Sequence, residues 1–291
     1  MQEAINKAAV LIEALPYVQG YRDKIIVVKL GGSVMNDRSA EADLLRDIVF
    51  LHTVGMQPII VHGGGKEISQ AMDDAGLEPN FVQGLRYTDE RTLTIAEQVL
   101  CGRISRRIVD TLANFGVEAV AMNSLTSCVL FANRKYLKGD NDRRIDIGYV
   151  GDVSQVNDKV LRLLCHARTI PVIAPIGRDQ SGSKLNINAD TAAGHVAAAV
   201  GAEKLVMVSD THGIRTDQDD PNSFCATLNR REIDEFLQNG VIGRGMIPKV
   251  EACLRALQAD TNKAHIIDGR IRHSLLLEIF TDKGIGTEIR Q

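Results

Sequence analysis

Lys24-Ile25-Ile26-Val27-Val28-Lys29-Leu30-Gly31-Gly32 is a β-branched apolar run closed by two glycines. That is the form of a buried strand ending in a turn. It returns at 58–62, where Pro58-Ile59-Ile60-Val61-His62 runs into Gly63-Gly64-Gly65. Between the two, residues 40–54 read as an amphipathic helix carrying Leu44, Leu45, Ile48, Val49 and Leu51. Strand, glycine turn and helix then recur along the chain. A helix is expected from Lys66 to Ala75 and a single long one from Asp89 to Phe115. Short strands and hairpins are expected over 117–155, where Asn141, Asp142, Gly148 and Gly151 supply turn residues. A helix at 157–167 and a strand at 170–176 follow. The remainder reads as a small-residue helix at 190–200, a strand at 204–209, helices at 229–239 and Pro248–Ala259, a strand at 264–267, and a final helix with an edge strand. Residues 1–18 have helical spacing, with Ala8, Leu11, Ile12 and Leu15 on one face. The fold class is α/β, a three-layer sandwich around a mainly parallel sheet. Ligands of such sheets sit outside the carboxyl ends of the strands. The loops after Leu30, His62, Ile176 and Ser209 are therefore where chemistry is expected.

Composition narrows the class of function. Apolar residues make up 44% and charged residues 24% of the 291, and the formal net charge is −3. No basic run points to a nucleic-acid surface. The five cysteines, Cys101, Cys128, Cys165, Cys225 and Cys253, are scattered and form no Cys-x-x-Cys pair. That argues against a disulfide framework or a structural zinc site and suits a reducing cytoplasm. Residues 1–21 carry Glu3 and Glu13 without a long apolar core, so they do not read as a secretory signal. No run approaches 18 uninterrupted apolar residues, so no membrane partner is expected.

Four stretches carry candidate chemistry. Lys29 precedes Gly31-Gly32, placing a point charge and an open backbone at one strand end. His62 precedes Gly63-Gly64-Gly65, a turn able to form an anion nest at a helix start. Either alone could be an ordinary turn; together, after neighbouring strands, they point to phosphate or carboxylate. Asn186-Ile187-Asn188-Ala189-Asp190 puts Asn186 and Asn188 on one side of an extended segment. Asp190 stands at the expected start of an Ala-rich helix, where it could simply be the N-cap. In Gly243-Arg244-Gly245-Met246-Ile247-Pro248-Lys249, Pro248 suits the first turn of a helix. Lys249 then sits at the positive end of the helix dipole, a placement that points to an acid partner or a ligand unless the side chain is simply solvated. Two familiar nucleotide motifs do not fit. The Walker spacing fails because Ile60 stands where its first Gly belongs and Glu67 follows Lys66. The dinucleotide fingerprint fails because position 68 is Ile. The seven histidines show no metal-ligand spacing, and no metal site is expected.

Taken in order, these stretches resemble the amino-acid kinase family. The similarity extends to Leu11–Tyr17, Gly84-Leu85-Arg86, Asp146–Gly151, His265–Arg270 and Leu275–Thr287. It is strongest to the arginine-sensitive branch that phosphorylates N-acetyl-L-glutamate. The resemblance implies one continuous sheet in a single structural domain: an oligomerisation helix at 1–22, an acyl-amino-acid lobe at 23–200 and a nucleotide lobe at 201–291. It implies ATP with Mg²⁺. Lys29 and Lys249 would neutralise the phosphoryl group and Asp190 would hold both lysines. Gly31, Gly32, Gly64 and Gly65 would donate N–H groups. Arg86 would grip the α-carboxylate, with Asn186 and Asn188 beside it. Asp210, Gly213, Arg215, Val241 and Gly243 would hold the nucleotide. Tyr17, His265, Glu278 and Gly284 would bind arginine as inhibitor, Glu278 pairing with its guanidinium, and the chain would assemble as a homohexamer, a trimer of dimers. The resemblance admits a PII-type regulator without establishing one. Departures from the family pattern occur at Ser124–Cys128, at Thr211-His212, at Arg103 and Ser105, and at Arg244. Two other readings stay open: a sibling kinase for another acidic amino acid, carbamate or UMP, and a non-catalytic arginine-binding protein.

Overall fold

The structure is a computed structural model. It describes residues 1–291 except positions 125, 140–142, 218–219, 221–222, 244 and 282–283 and the side chains of residues 3 and 7. Asn141, Asp142 and Arg244, named above, and Leu125 within the stretch Ser124–Cys128 therefore lie outside the described residues. The first half contains α1 (Gln2–Tyr21), β1 (Ile25–Leu30), α2 (Gly32–Met35), α3 (Arg38–Thr53), β2 (Gln57–His62), α4 (Gly65–Asp74), β3 (Phe81–Val82), β4 (Leu85–Arg86) and α5 (Glu90–Glu97). A π-helical turn, Gln98–Ile104, leads into α6 (Ser105–Asn114), followed by β5 (Ala119–Met122), β6 (Leu130–Lys138) and β7 (Arg144–Val156). Then come α7 (Asp158–His166), β8 (Ile170–Ile173), β9 (Ile176–Arg178), β10 (Lys184–Ile187), α8 (Ala189–Val200) and β11 (Lys204–Ser209). The chain closes with β12 (Ile214–Arg215), β13 (Phe224–Cys225), β14 (Thr227–Leu228), α9 (Arg230–Gln238), α10 (Ile247–Gln258), β15 (Lys263–Asp268), α11 (Ser274–Ile279) and β16 (Thr287–Ile289).

An eight-stranded sheet runs in the order β14-β16-β15-β11-β1-β2-β8-β5. Its pairs are parallel except β15 with β16. β1 lies between β2 and β11, so the sheet is continuous across residue 200. The sandwich expected around a mainly parallel sheet is thus present. Period two sorts the side chains of each strand onto two faces. Ile25, Val27, Ile59, Val61, Leu205 and Met207 pack with α8 and α10. Ile26, Val28, Leu30, Ile60, Val206 and Val208 pack with α3, α6 and α11. Lys29 continues the first set and His62 the second. Neighbouring strand ends therefore send these two side chains to opposite faces.

Several expectations change. The long helix at 89–115 is interrupted by the π-helical turn. The short strands expected at 117–155 are largely one long antiparallel pair, β6 with β7, in a small closed sheet of order β10-β7-β6-β9. The strand expected at 170–176 divides after Ile173. β8 stays in the main sheet and β9 enters the closed one. Pro175, which lacks a ladder donor, stands at the break. Asp190 is not the cap of its helix. Asn188 is, its Oδ1 accepting from Asp190 N at 2.9 Å and Thr191 N at 3.0 Å. Helix α1 forms, yet Leu11 and Ile12 are each 68% exposed, so its apolar face is uncovered in the single chain. No helix among the described residues is long and apolar enough to cross a membrane.

Candidate active site

Lys29, at the carboxyl end of β1, is buried beneath α8 and α10. Asp190, in the first turn of α8, meets its Nζ at 2.6 Å through Oδ1. Its other oxygen takes Lys249 Nζ at 3.2 Å, and Lys249 also donates to Gly245 O at 3.3 Å. The acid partner called for by a lysine at the start of α10 is therefore Asp190. Burial by itself would raise the Asp190 carboxyl, but Lys29 and then Lys249 outweigh it and hold it below the usual carboxylate range. Two cations on one anion leave a net positive charge. Helix α8 adds the positive end of its dipole.

The glycine loops border this group. A Cβ on Gly32 would lie 3.4 Å from Gly65 N and 3.5 Å from Gly64 N, so the two loops touch. Gly31 and Gly63 donate their N–H groups to Val208 O and Leu30 O, both at 3.0 Å. That corrects the expectation for Gly31, whose N–H is engaged by the sheet. Its lack of a side chain still matters, because a Cβ there would come within 2.7 Å of Val208 O. The N–H groups of Gly32, Gly64 and Gly65 have no partner among the described residues. Gly32 opens α2 and Gly65 opens α4, where helix geometry leaves donors unpaired. Such donors can receive an anion.

Arg86 on β4 is buried. It donates to Gly65 O and Ser69 Oγ, each at 2.8 Å, and lies over the Phe81 ring at 4.7 Å from its centroid. Burial lowers its pKa from the usual guanidinium value. It is thus fastened to the second glycine loop. Asn186 Nδ2 donates to Thr88 Oγ1 at 3.2 Å, and Thr88 Oγ1 donates to Arg86 O at 2.9 Å. Thr88 joins the two polar residues and was missed in the sequence. Its one available signal was Gly148, which sits at φ +78° with no room for a Cβ against the Thr88 carbonyl. Asn188 stands apart in role, since its carbonyl oxygen is spent on capping α8.

Beyond Lys249 opens a cavity of about 570 Å³, within the usual range for small-molecule sites. Asp210, Gly213, Arg215, Val241 and Gly243 all line it, as does Lys249. Arg270 lines it too and was not anticipated. Its guanidinium clasps Asp268 at 2.9 and 2.7 Å, and His212 Nδ1 approaches the same carboxylate at 3.4 Å. Lys29, Asp190 and Lys249 therefore stand between the glycine loops and this cavity.

Tyr17, His265, Glu278 and Gly284 gather elsewhere, around α11. The Glu278 carboxylate meets His265 Nδ1 at 2.5 Å and Lys204 Nζ at 3.1 Å. It accepts from the N–H of Ile285 at 3.0 Å and of Gly286 at 3.3 Å. Gly284 has φ +58°, and a Cβ there would be 2.7 Å from Glu278 Oε2. Tyr17 packs edge-on against Phe280, just past α11, with ring centroids 6.3 Å apart. Lys204 was not among the expected residues. The guanidinium expected on Glu278 finds that carboxylate already taken by Lys204 and His265.

The architecture can be set beside known proteins. The model of the amino acid kinase family matches residues 24–268. Acetylglutamate kinase of Symbiobacterium thermophilum is 46% identical over 289 residues, covering 99% of both chains. Acetylglutamate kinase of Methanosphaera stadtmanae is 46% identical over 295 residues, covering 100% of this chain and 99% of that one. Among solved structures, N-acetylglutamate synthase from Neisseria gonorrhoeae, complexed with coenzyme A and N-acetyl-glutamate, superposes with a TM-score of 0.85 at 27% identity. That match covers 98% of this chain and 63% of the synthase. Carbamate kinase from Giardia lamblia bound to AMP-PNP shares the fold at a TM-score of 0.68 and 16% identity, over 92% and 99% of the two chains. With the paired glycine loops, the two lysines on one aspartate and the match over nearly the whole chain, this protein belongs to the amino acid kinase family.

Proposed function

We propose that the chain is an acetylglutamate kinase: it transfers the γ-phosphoryl group of ATP to the side-chain carboxylate of N-acetyl-L-glutamate, a step of arginine biosynthesis. The observation that carries this reading is Asp190 held between Lys29 and Lys249 beside the unpaired N–H groups of the glycine loops. A new bond forms between a carboxylate oxygen and Pγ, the bond from Pγ to the β-phosphate oxygen breaks, and ADP leaves. The nucleophile is already ionised near pH 7, so no general base is needed. The protein's task is to hold two anions in line and cancel their repulsion. Lys29 and Lys249 supply the cancelling charge; Asp190 fixes their separation. Gly32, Gly64 and Gly65 donate to oxygens on which charge develops. Mg²⁺ travels with the nucleotide phosphates. The cavity at Asp210–Arg215 and Val241–Gly243 takes the nucleotide. The lobe holding Arg86, Thr88 and Asn186 takes the acyl amino acid, Arg86 serving its α-carboxylate. The test is hydroxylamine trapping of acyl phosphate with ATP, Mg²⁺ and N-acetyl-L-glutamate. Hydroxamate formation dependent on that substrate is expected. Product with a different acidic substrate alone would move the reading to a sibling kinase.

The same reading extends to regulation in the cytoplasm. Tyr17, His265, Glu278 and Gly284 form an arginine site in which the ligand's guanidinium takes a place on Glu278 now held by Lys204 or His265. The supporting observation is the buried, ionised Glu278 carboxylate, held down to about 2 against its burial by His265 and Lys204. The uncovered apolar face of α1 supports assembly through that helix into a hexamer. Hydroxamate yield and molar mass by light scattering, with and without arginine, test both. Unchanged activity in saturating arginine would remove the regulatory part and leave the transfer reaction standing.

A further inference from the structure

His62 has no part in the transfer described above, yet it is fully buried at the foot of the second glycine loop. Its Nδ1 lies 3.0 Å from Gly63 O and its Nε2 lies 2.8 Å from Ser105 Oγ. Ser105 Oγ is also 3.0 Å from Leu100 O. Burial drives the imidazole down to about 4, so the ring carries a single proton near neutrality. Its neighbours decide where that proton sits. On Nε2 it would leave the Nδ1 lone pair facing the Gly63 carbonyl lone pairs. On Nδ1 it is donated to Gly63 O, and Nε2 is left as an acceptor facing Ser105 Oγ, whose single proton goes either to Nε2 or to Leu100 O.

The π-helical turn makes this contact possible. Leu100 O accepts from Ser105 N, five residues on. A π turn carries an additional residue relative to an α-helix, so the residues beyond it are rotated by about 100° about the helix axis. Leu100 and Ile104, in the same turn, press on the same loop. A Cβ on Gly64 would meet Ile104 Cδ1 at 2.5 Å and Leu100 Cδ2 at 2.8 Å. One turn of helix thus supplies an apolar wall to Gly64 and a polar tie, through His62, to Gly63. Those contacts bracket the peptide units whose free N–H groups face the substrates.

We propose that His62, tied to Ser105 on the π-helical turn, is a positioning residue for phosphoryl transfer: it fixes the Gly63 carbonyl so that the Gly64 and Gly65 N–H groups stay aimed at the reacting anions. The inference rests on the transfer reading above. A small turn of that peptide misaims donors that matter most when charge develops, so the effect falls on kcat rather than on KM. In full-length protein assayed by hydroxamate formation, His62→Leu keeps the volume and removes the donor. Its kcat is expected to fall about 30- to 100-fold, with KM for both substrates within about threefold. His62→Asn can place an amide N–H near the Nδ1 position and is expected to recover kcat to within about tenfold of wild type. Nitrogen-15 NMR of the wild-type imidazole should show the proton on Nδ1. A folded His62→Leu variant with near-wild-type kcat, a His62→Asn variant as impaired as His62→Leu, or a proton on Nε2 would each overturn the proposal. If the variants fail to fold, the NMR measurement decides. A wild-type enzyme that makes no hydroxamate would sink the transfer reading instead, while the tautomer would still judge the tie to Gly63.

Discussion

Two buried carboxylates in this molecule each sit between two basic side chains, and they have opposite characters. Asp190 holds Lys29 and Lys249 at the carboxyl ends of the strands, on the α8 and α10 face. Glu278 holds Lys204 and His265 towards the amino end of β11, on the opposite face. The first set has one anion for two lysines, beside unpaired backbone donors and a cavity of about 570 Å³. The second is nearly closed. One lysine balances one carboxylate, burial pushes His265 down from its ordinary value, and two backbone N–H groups complete the shell. An unbalanced cluster at the mouth of a cavity is suited to drawing in an anion. A balanced cluster under a helix is suited to holding that helix in place until a ligand cation, as in the arginine reading above, displaces Lys204 or His265.

The contrast predicts which function each lysine supports. Lys204→Met would strand a buried carboxylate, at a cost of about 3–5 kcal/mol in stability. Activity per folded molecule should be retained, as denaturant unfolding paired with the hydroxamate assay would show. Lys249→Ala, or Lys29→Ala, should do the reverse. Each is expected to cut kcat per folded molecule about 10²–10³-fold, since each removes charge needed in the transition state, while stability falls less than in Lys204→Met because the buried Asp190 keeps its second lysine. Normal turnover in both alanine variants would erase the distinction drawn here.

Acid should sharpen the comparison further. Glu278 is held at about 2, below its ordinary 4.5, so the unfolded state binds the more protons between those values. Its contribution is complete above about pH 4.5 and is lost as pH falls towards 2, up to about 3 kcal/mol in all. His265, pushed below 6.5 by burial, acts in the same direction, beginning just under its ordinary value. Thermal melts across pH 7 to 3 should therefore fall steeply in wild type and less in Lys204→Met, which has already lost part of this support. The smallest effect is expected from Asn188→Ala, where a lost cap costs about 1 kcal/mol. A large rise in KM for N-acetyl-L-glutamate with stability unchanged would return Asn188 to the role of a substrate contact.

Much of this was open to reading in one dimension. The β-branched runs at 25–30, 58–62 and 204–209 are strands because their apolar residues can be buried on both faces. The glycines after Leu30 and His62 marked the two open loops, because a missing side chain is itself a local property. Reading failed where partners distant in the chain decided the outcome. The residues alone left Asp190 open to being a cap, as a short acid at a helix start commonly is, and only the family resemblance gave it to the two lysines; Asn188, two residues earlier, took the cap. That leaves Asp190 to the lysines on β1 and α10. The π-helical turn has no local signature, since its geometry answers to packing against Gly64 and His62. Thr88 and Arg270 acquire meaning only beside Asn186 and Asp268.

The sequence by itself determined most of the order of strands and helices, the two glycine loops at neighbouring strand ends and the type of charge near them. These depend on local periodicity and on glycine's missing side chain. The tertiary structure alone decided that Asn188 rather than Asp190 caps α8, that Lys204 is locked to Glu278, and which glycine N–H groups lack a partner among the described residues. Burial makes charge pairing a matter of distance in space: Lys29 and Lys249 come within 2.6 and 3.2 Å of the Asp190 carboxylate only when the sheet and its two helices close.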